Sequence, residues 1–139
     1  IGDTLSIALE PGSYIQTTLR VMVTMPDIES LELSGGSRGD VSGFVGLASL
    51  DLELSGGSHV DAEGSAVDLS VDASGGSTLE LSNFPVHDAS ITLSGGSRGT
   101  ISLDGDLDTD ASGGSQLWYI GNPTLGDIDT SGGSIVKKK

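Results

Sequence analysis

The sequence predicts an all-β fold, a single parallel β-helix (solenoid) of about six or seven coils with roughly 20 residues each. The main observation is the tetrapeptide Ser-Gly-Gly-Ser, which begins at residues 34, 55, 74, 94, 112 and 131, with spacings of 21, 19, 20, 18 and 19 residues. Apolar and polar residues alternate on both sides of each copy, and no window shows the 3.6-residue period of an amphipathic helix. A unit of this length cannot bury its own apolar face, so successive units must stack.

The residues before each tetrapeptide predict one strand per coil. The positions one and three residues upstream are mostly apolar, and the position between them is polar, as in a strand with one buried face. The residues at these two positions are Leu31 and Leu33, Leu52 and Leu54, Val71 and Ala73, Ile91 and Leu93, Thr109 and Ala111, and Ile128 and Thr130.

The tetrapeptide itself predicts a sharp corner. Two consecutive glycines adopt positive φ at little steric cost, and the flanking serines can bond to backbone groups at the turn. Stacked coils would align the serines and allow a ladder of hydroxyl groups. The predicted corner glycines are Gly35, Gly36, Gly56, Gly57, Gly75, Gly76, Gly95, Gly96, Gly113, Gly114, Gly132 and Gly133.

The residues after each corner predict a second strand, followed by a less regular return segment of variable length. The inward positions of this strand are Gly39 and Val41, Val60 and Ala62, Leu79 and Leu81, Gly99 and Ile101, and Leu117 and Tyr119. Left-handed β-helices usually follow a strict hexapeptide period, which is absent here, so the sequence favours the right-handed form.

The chain is expected to be one domain with three parts. Residues 1–28 alternate but lack the corner, which predicts an atypical first coil or a cap; residues 29–134 form the regular coils; residues 135–139 are a basic tail. Lysines on a final strand oppose edge-to-edge pairing, although solenoid ends can also stack in self-association. The chain lacks an initiator Met and starts within the pattern, so we expect a piece of a longer domain.

Composition excludes several function classes. The chain has 20 Asp and Glu against 6 Lys and Arg, a net charge of −14, which argues against nucleic acid as a partner. It contains no cysteine for disulfides or thiol chemistry. No apolar run is long enough to span a membrane.

Two stretches and the repeated corners resemble the auto-transporter adhesin head GIN domain family. The stretches are Val21-Met22-Val23-Thr24-Met25-Pro26, followed by Ser30–Ser37, and Gly121-Asn122-Pro123, followed by Ser131–Lys137. The resemblance covers essentially the whole chain. It implies a β-helical domain exported to the bacterial envelope, surface or surroundings, without an established activity or a catalytic motif that could be transferred.

The candidate binding residues are the outward positions before each corner. One column comprises Glu32, Glu53, Asp72, Thr92, Asp110 and Asp129; beside it runs a column of Ser30, Asp51, Ser70, Ser90, Asp108 and Asp127. Three interpretations stay open: a solvated acidic face, a site for calcium, and a surface for a basic partner.

A second candidate is the aspartate run Asp104, Asp106, Asp108 and Asp110, which resembles a calcium loop only superficially. An EF-hand needs Gly at the sixth position and Glu at the twelfth, whereas this run has Thr109 and Ser115 there. Its alternation fits a strand with the aspartates pointing outward. No cofactor is predicted, with calcium as the open alternative.

The third candidate is Trp118, which the alternation places on the outward side. Its indole could be covered by the loop at residues 121–123, stack on a sugar ring or fill a subunit interface. The leading functional hypothesis is a non-enzymatic, exported, adhesin-like module that binds an unknown surface ligand, either carbohydrate or protein. The alternatives are a calcium- or carbohydrate-binding module and, with less support, a polysaccharide-active enzyme.

Overall fold

A computed structural model describes residues 22–139 as a stack of parallel β-coils, with no helix in this part of the chain. The strands are β1 (Ser30–Leu33), β2 (Arg38–Leu54), β3 (His59–Ala73), β4 (Thr78–Val86), β5 (Asp88–Leu93), β6 (Arg98–Leu103), β7 (Asp106–Ala111), β8 (Gln116–Ile120), β9 (Thr124–Thr130) and β10 (Ile135–Lys138). Every pairing between them is parallel. The predicted solenoid of about six turns is therefore confirmed.

The strands form two faces that meet at the Ser-Gly-Gly-Ser corners. Face 1 contains the strand segments that enter the corners: 30–33, 51–54, 70–73, 90–93, 108–111 and 127–130. Face 2 contains the segments that leave them: 38–41, 59–62, 78–81, 98–101, 116–119 and 135–138. Within each face, consecutive segments pair with one another.

The core lies between the two faces and consists of the predicted inward columns. On face 1, Leu52 is paired with Val71, and Val71 with Ile91; all three are at most 3% exposed. Thr109 continues this column, and its buried hydroxyl has no hydrogen-bond partner. The apolar alternation read from the sequence therefore faces the interior, as predicted.

Large and small residues complement each other in the inward column of face 2. A Cβ atom at Gly99 would lie 3.1 Å from Leu117 Cδ1 and 3.5 Å from Leu79 Cδ2. The two leucine side chains therefore occupy the space beside this glycine. Such a fit keeps the narrow interior filled without a large residue in every coil.

Each corner is a tight turn with both glycines at positive φ, 63–68° for the first glycine and 78–94° for the second. These are the signs of a type I′ turn. The hydroxyl of the second serine donates to the carbonyl of the first, at 2.6–2.8 Å in all six corners. The predicted hydroxyl ladder between coils is wrong, because this hydroxyl is already used within its own corner.

The first glycines of successive corners are in direct backbone contact. A Cβ atom at Gly56, Gly75, Gly95, Gly113 or Gly132 would lie 2.9–3.0 Å from the backbone nitrogen of the first glycine in the preceding corner. Side chains are excluded at that distance. By contrast, a Cβ atom at Gly57 or Gly76 would meet nothing within 4 Å.

The return segments are more regular than predicted in the first coils. β2 and β3 each run unbroken from one corner to the next, with register shifts between Val41 and Leu47. Positive φ at Gly43, Gly46 and Gly64 lets the strands bend at these irregularities without ending. From β4 onward each coil is divided into two strands.

Residues 1–21 lie outside the described residues, and so does most of the predicted atypical first coil. Its described end includes Ile28, which packs at the edge of the core and is 9% exposed. The handedness of the coil and the three-part division of the chain stay predictions.

Candidate functional site

Face 1 carries eight carboxylates and no Lys or Arg. The register places Glu32 beside Glu53, and Glu53 beside Asp72. Neighbouring strands are about 4.8 Å apart, and two unit charges at this distance repel by about 1 kcal/mol in water. The eight residues are Glu32, Asp51, Glu53, Asp72, Asp108, Asp110, Asp127 and Asp129.

A shallow groove of about 360 Å³ follows the return end of face 1. Its lining includes Asp51, Asp68, Asp88 and Asp108. Asp68 and Asp88 are register partners, so acidic side chains also continue along this side of the coils.

Two of these aspartates hold the backbone of the next coil. Asp88 Oδ1 accepts the amide hydrogen of Asp106 at 2.7 Å, and Asp108 Oδ1 accepts that of Asp127 at 2.8 Å. In both cases the residue before the donor is a glycine, Gly105 or Gly126, where a Cβ atom would overlap the carboxylate. The carboxylates therefore have a structural role as well as a charge.

The aspartates of the predicted calcium run do not converge. Asp106, Asp108 and Asp110 all point outward from β7, but alternate residues on one strand are about 7 Å apart. Asp104 lies before β7 and contacts His87 instead. Within residues 22–139, no group of three or more His, Asp or Glu side chains is placed to hold a metal ion. The calcium hypothesis therefore rests on sequence analogy alone.

His87 links two coils at the return side. Its Nδ1 lies 3.0 Å from Asp104 Oδ1, and its Nε2 lies 4.0 Å from Asp88 Oδ1. The hydrogen bond with Asp104, followed by the negative charge of Asp88, raises the pKa of His87 above its ordinary value. The other described histidine, His59, lies 3.4 Å from an Arg38 nitrogen.

Face 2 differs from face 1 in carrying cations. Arg38, Arg98, Lys137 and Lys138 all lie in its segments. Arg38 Nε is 4.0 Å from Asp40 Oδ1 on the same strand. Arg98 occupies the equivalent position in a later coil, where the residue matching Asp40 is Thr100.

Trp118 points outward from face 2, as predicted, since Leu117 beside it is fully buried and Tyr119 packs against the core. Its register partners are Thr100 in the preceding coil and Lys137 in the following one. The indole is half-buried, and Lys138 Nζ donates to Asn122 Oδ1 of the adjacent loop at 2.5 Å.

Asp108 was a candidate residue from the sequence, but the coil-bridging role that it shares with Asp88 was not predicted, nor was the contact between His87 and Asp104. A weak signal existed for the first: a Gly-Asp dipeptide follows each bridging aspartate about one coil later, at Gly105-Asp106 and Gly126-Asp127. No comparable signal marks the contact between His87 and Asp104, because it depends on how the return segments align.

The amino-acid sequence matches a known protein family over most of its length. Residues 1–123 match the family described as "Putative auto-transporter adhesin, head GIN domain". The chain belongs to this family. No curated protein and no solved structure matches this head GIN domain. The resemblance noted in the sequence is confirmed. Residues 22–139 contain no helix long and apolar enough to cross a membrane.

Proposed function

We propose that this head GIN domain is a non-enzymatic, exported, adhesin-like module that holds rows of outward side chains for contact with a surface ligand. The observation that carries the proposal is the parallel register, which places equivalent outward residues of successive coils side by side on both faces. A solenoid with such faces offers an extended surface rather than a closed cavity. The adhesin description of the family supports this function and a location outside the cell.

The surroundings of the histidines support the non-enzymatic part of the proposal. In a Ser-His-Asp arrangement, the histidine base lies within hydrogen-bond reach of the serine hydroxyl. His87 instead contacts Asp104 and Asp88, and His59 contacts Arg38. Both rings lie on the outer surface of the stack.

Binding of the purified chain to immobilised surface polysaccharides and matrix proteins, followed by interferometry, tests the proposal. We expect saturable binding to at least one of them. A variant with Glu53→Gln and Asp72→Asn on face 1, compared with one carrying Asp40→Asn and Asp61→Asn on face 2, shows whether the carboxylates of either face take part in the contact. Absence of saturable binding across the panel would overturn the adhesive function.

Incubation of the same polysaccharides with the chain tests the non-enzymatic part. Size-exclusion chromatography should show unchanged polymer length, and a reducing-end assay should show no increase. New chain ends that disappear with a His87→Gln variant would establish catalysis and contradict the proposal.

A further inference from the structure

In the last three coils, face 2 carries cationic side chains and no carboxylate. The segments 98–101, 116–119 and 135–138 contain no Asp or Glu, whereas the three preceding segments of this face contain Asp40, Asp61 and Glu80. Six residues point outward in these last three coils, and the five polar or aromatic ones among them are named the Trp118 patch: Arg98, Thr100, Gln116, Trp118 and Lys137. The sixth, Ile135, is the register partner of Gln116.

The indole of Trp118 lies close to the sheet rather than extending into solvent. Thr100 points outward, yet it is only 8% exposed. Its two register partners are Glu80 and Trp118, which are both half-buried and thus cover it from either side. An indole held in this way presents an apolar surface at a fixed position on a rigid strand.

Two cations flank this aromatic surface. Lys137 is the register partner of Trp118 in the next coil, and Arg98 is the diagonal neighbour in the preceding coil, within reach of long side chains. In the described residues Arg98 forms no ion pair: Thr100 stands where Asp40 accompanies Arg38, and the carboxylate of its diagonal neighbour Glu80 accepts a hydrogen bond from Ser82 instead. The guanidinium group of Arg98 is therefore available to an external carboxylate.

A carboxylated sugar combines the two features that this patch would recognise. The apolar side of a pyranose ring can pack on the indole, while the carboxylate pairs with Arg98 or Lys137 and ring hydroxyls reach Gln116. The patch spans three strands, or about 10 Å along the axis, and Glu80 and Asp61 lie beyond it. Together with the net charge of −14, these acids oppose a long polyanion and favour the end of a glycan.

We propose that the Trp118 patch binds the carboxylated terminal sugar of an acidic glycan. This inference rests on the proposed adhesive function and names the ligand class of one surface. Trp118 stacks on the sugar ring, and Arg98 and Lys137 hold its carboxylate.

Intrinsic fluorescence provides a direct test, because Trp118 is the single tryptophan of the chain. The probes are trigalacturonate and sialyllactose, each compared with its neutral counterpart, galactotriose or lactose. We expect at least one acidic probe to change the emission saturably, the neutral counterpart to bind about tenfold more weakly, and added salt to reduce the affinity.

Charge variants identify the residues involved. Arg98→Gln and Lys137→Gln should each weaken binding about tenfold, the loss expected for a charged hydrogen bond. The matched control is Arg38→Gln, which removes an arginine from the equivalent position beside Gly39, away from Trp118. Trp118→Phe, measured by calorimetry, keeps a ring and should retain part of the affinity. Far-UV circular dichroism verifies that each variant is folded.

The outcomes separate this inference from the proposed function. If neither acidic probe alters Trp118 emission, or if Arg98→Gln, Lys137→Gln and Arg38→Gln bind equally, the patch is not an acidic-sugar site. The adhesive function still stands if the chain binds another surface polymer in the panel. Equal binding of the acidic and neutral sugars would overturn the role of the two cations.

Discussion

The corners and the return segments both hold successive coils together, but they do so through different contacts. Every corner uses the same four residues, with two glycines at positive φ and one hydroxyl bond inside the turn. The return segments use contacts that differ from coil to coil. Gly46 donates its amide hydrogen to Ser65 Oγ, whereas farther along Asp88 accepts from the amide of Asp106.

The difference shows where each region tolerates change. At the corners the backbones of successive coils touch, so one residue type is required at the first glycine. At the return segments side chains bridge the coils, and several residue types can do this. A change at the corner should therefore destabilise the protein more than a change in the return segment.

The largest effect is expected for Gly75→Ala. Alanine at positive φ costs about 1–2 kcal/mol, and the added Cβ, 2.9 Å from Gly56 N, should raise the total to about 3 kcal/mol. Gly76→Ala is the matched control, since its φ is also positive but its Cβ meets nothing within 4 Å. Urea unfolding followed by circular dichroism measures both. Equal losses for the two variants would contradict the backbone-contact explanation.

A smaller loss is expected for Ser97→Ala, about 1 kcal/mol. This change removes the bond from the buried hydroxyl to Ser94 O, although the amide hydrogen of Ser97 still reaches that carbonyl at 3.2 Å. Ser94→Ala alters the other serine of the same corner and should have little effect. A larger loss of stability for Ser94→Ala than for Ser97→Ala would contradict the role assigned to the Ser97 hydroxyl.

Asp108→Ala tests a bridge at the return side, and we expect a loss of up to about 1 kcal/mol because the amide of Asp127 loses its acceptor. Asp108→Asn retains an acceptor oxygen and reduces repulsion within face 1, so its stability should equal or exceed that of the parent chain. Asp110→Ala, the next outward aspartate of β7, is the control without a described hydrogen bond. Thermal unfolding ranks the three variants, and an equal loss for Asp110→Ala would remove the bridging role.

The smallest effect concerns pH. The pKa of His87 is raised in the folded chain. Its contacts with Asp104 and Asp88 therefore stabilise the fold fully at pH values below the unfolded-state pKa of about 6.5. That contribution is lost as the pH rises through the folded-state pKa. NMR titration should show the His87 pKa returning toward its ordinary value in Asp104→Asn and hardly moving in the remote control Asp129→Asn. An unchanged pKa in Asp104→Asn would refute the pairing.

Local pattern was enough to predict the coils and their inward columns. The alternation around Leu52, Val71 and Ile91, with a glycine pair every 18–21 residues, fixes which residues are buried and where the chain turns. The serine ladder was wrong because a partner inside the same turn competes with one in the next coil. Only the geometry of a single corner decides between them.

The return segments were harder to predict because their contacts depend on which residue of the next coil lies alongside. Phe84 is fully buried there, beside Gly64, although no alternation marks it as a core residue. The same dependence hides the bridges made by Asp88 and Asp108. Of the candidate site, the outward position of Trp118 was predictable, whereas its pairing with Lys137 depended on the coil register.

The contact between first glycines makes the solenoid modular in length. The last five corners approach the corner before them in the same way, because a Cβ atom at each first glycine would lie 2.9–3.0 Å from the backbone nitrogen of the preceding first glycine. No one of these contacts distinguishes one corner from another. If a whole coil were duplicated or removed during evolution, the corners of the new neighbours would meet in the old geometry, and only the return-segment contacts would have to form anew. Such exchange would lengthen or shorten the distance between the two ends of the rod while leaving the width of its faces unchanged.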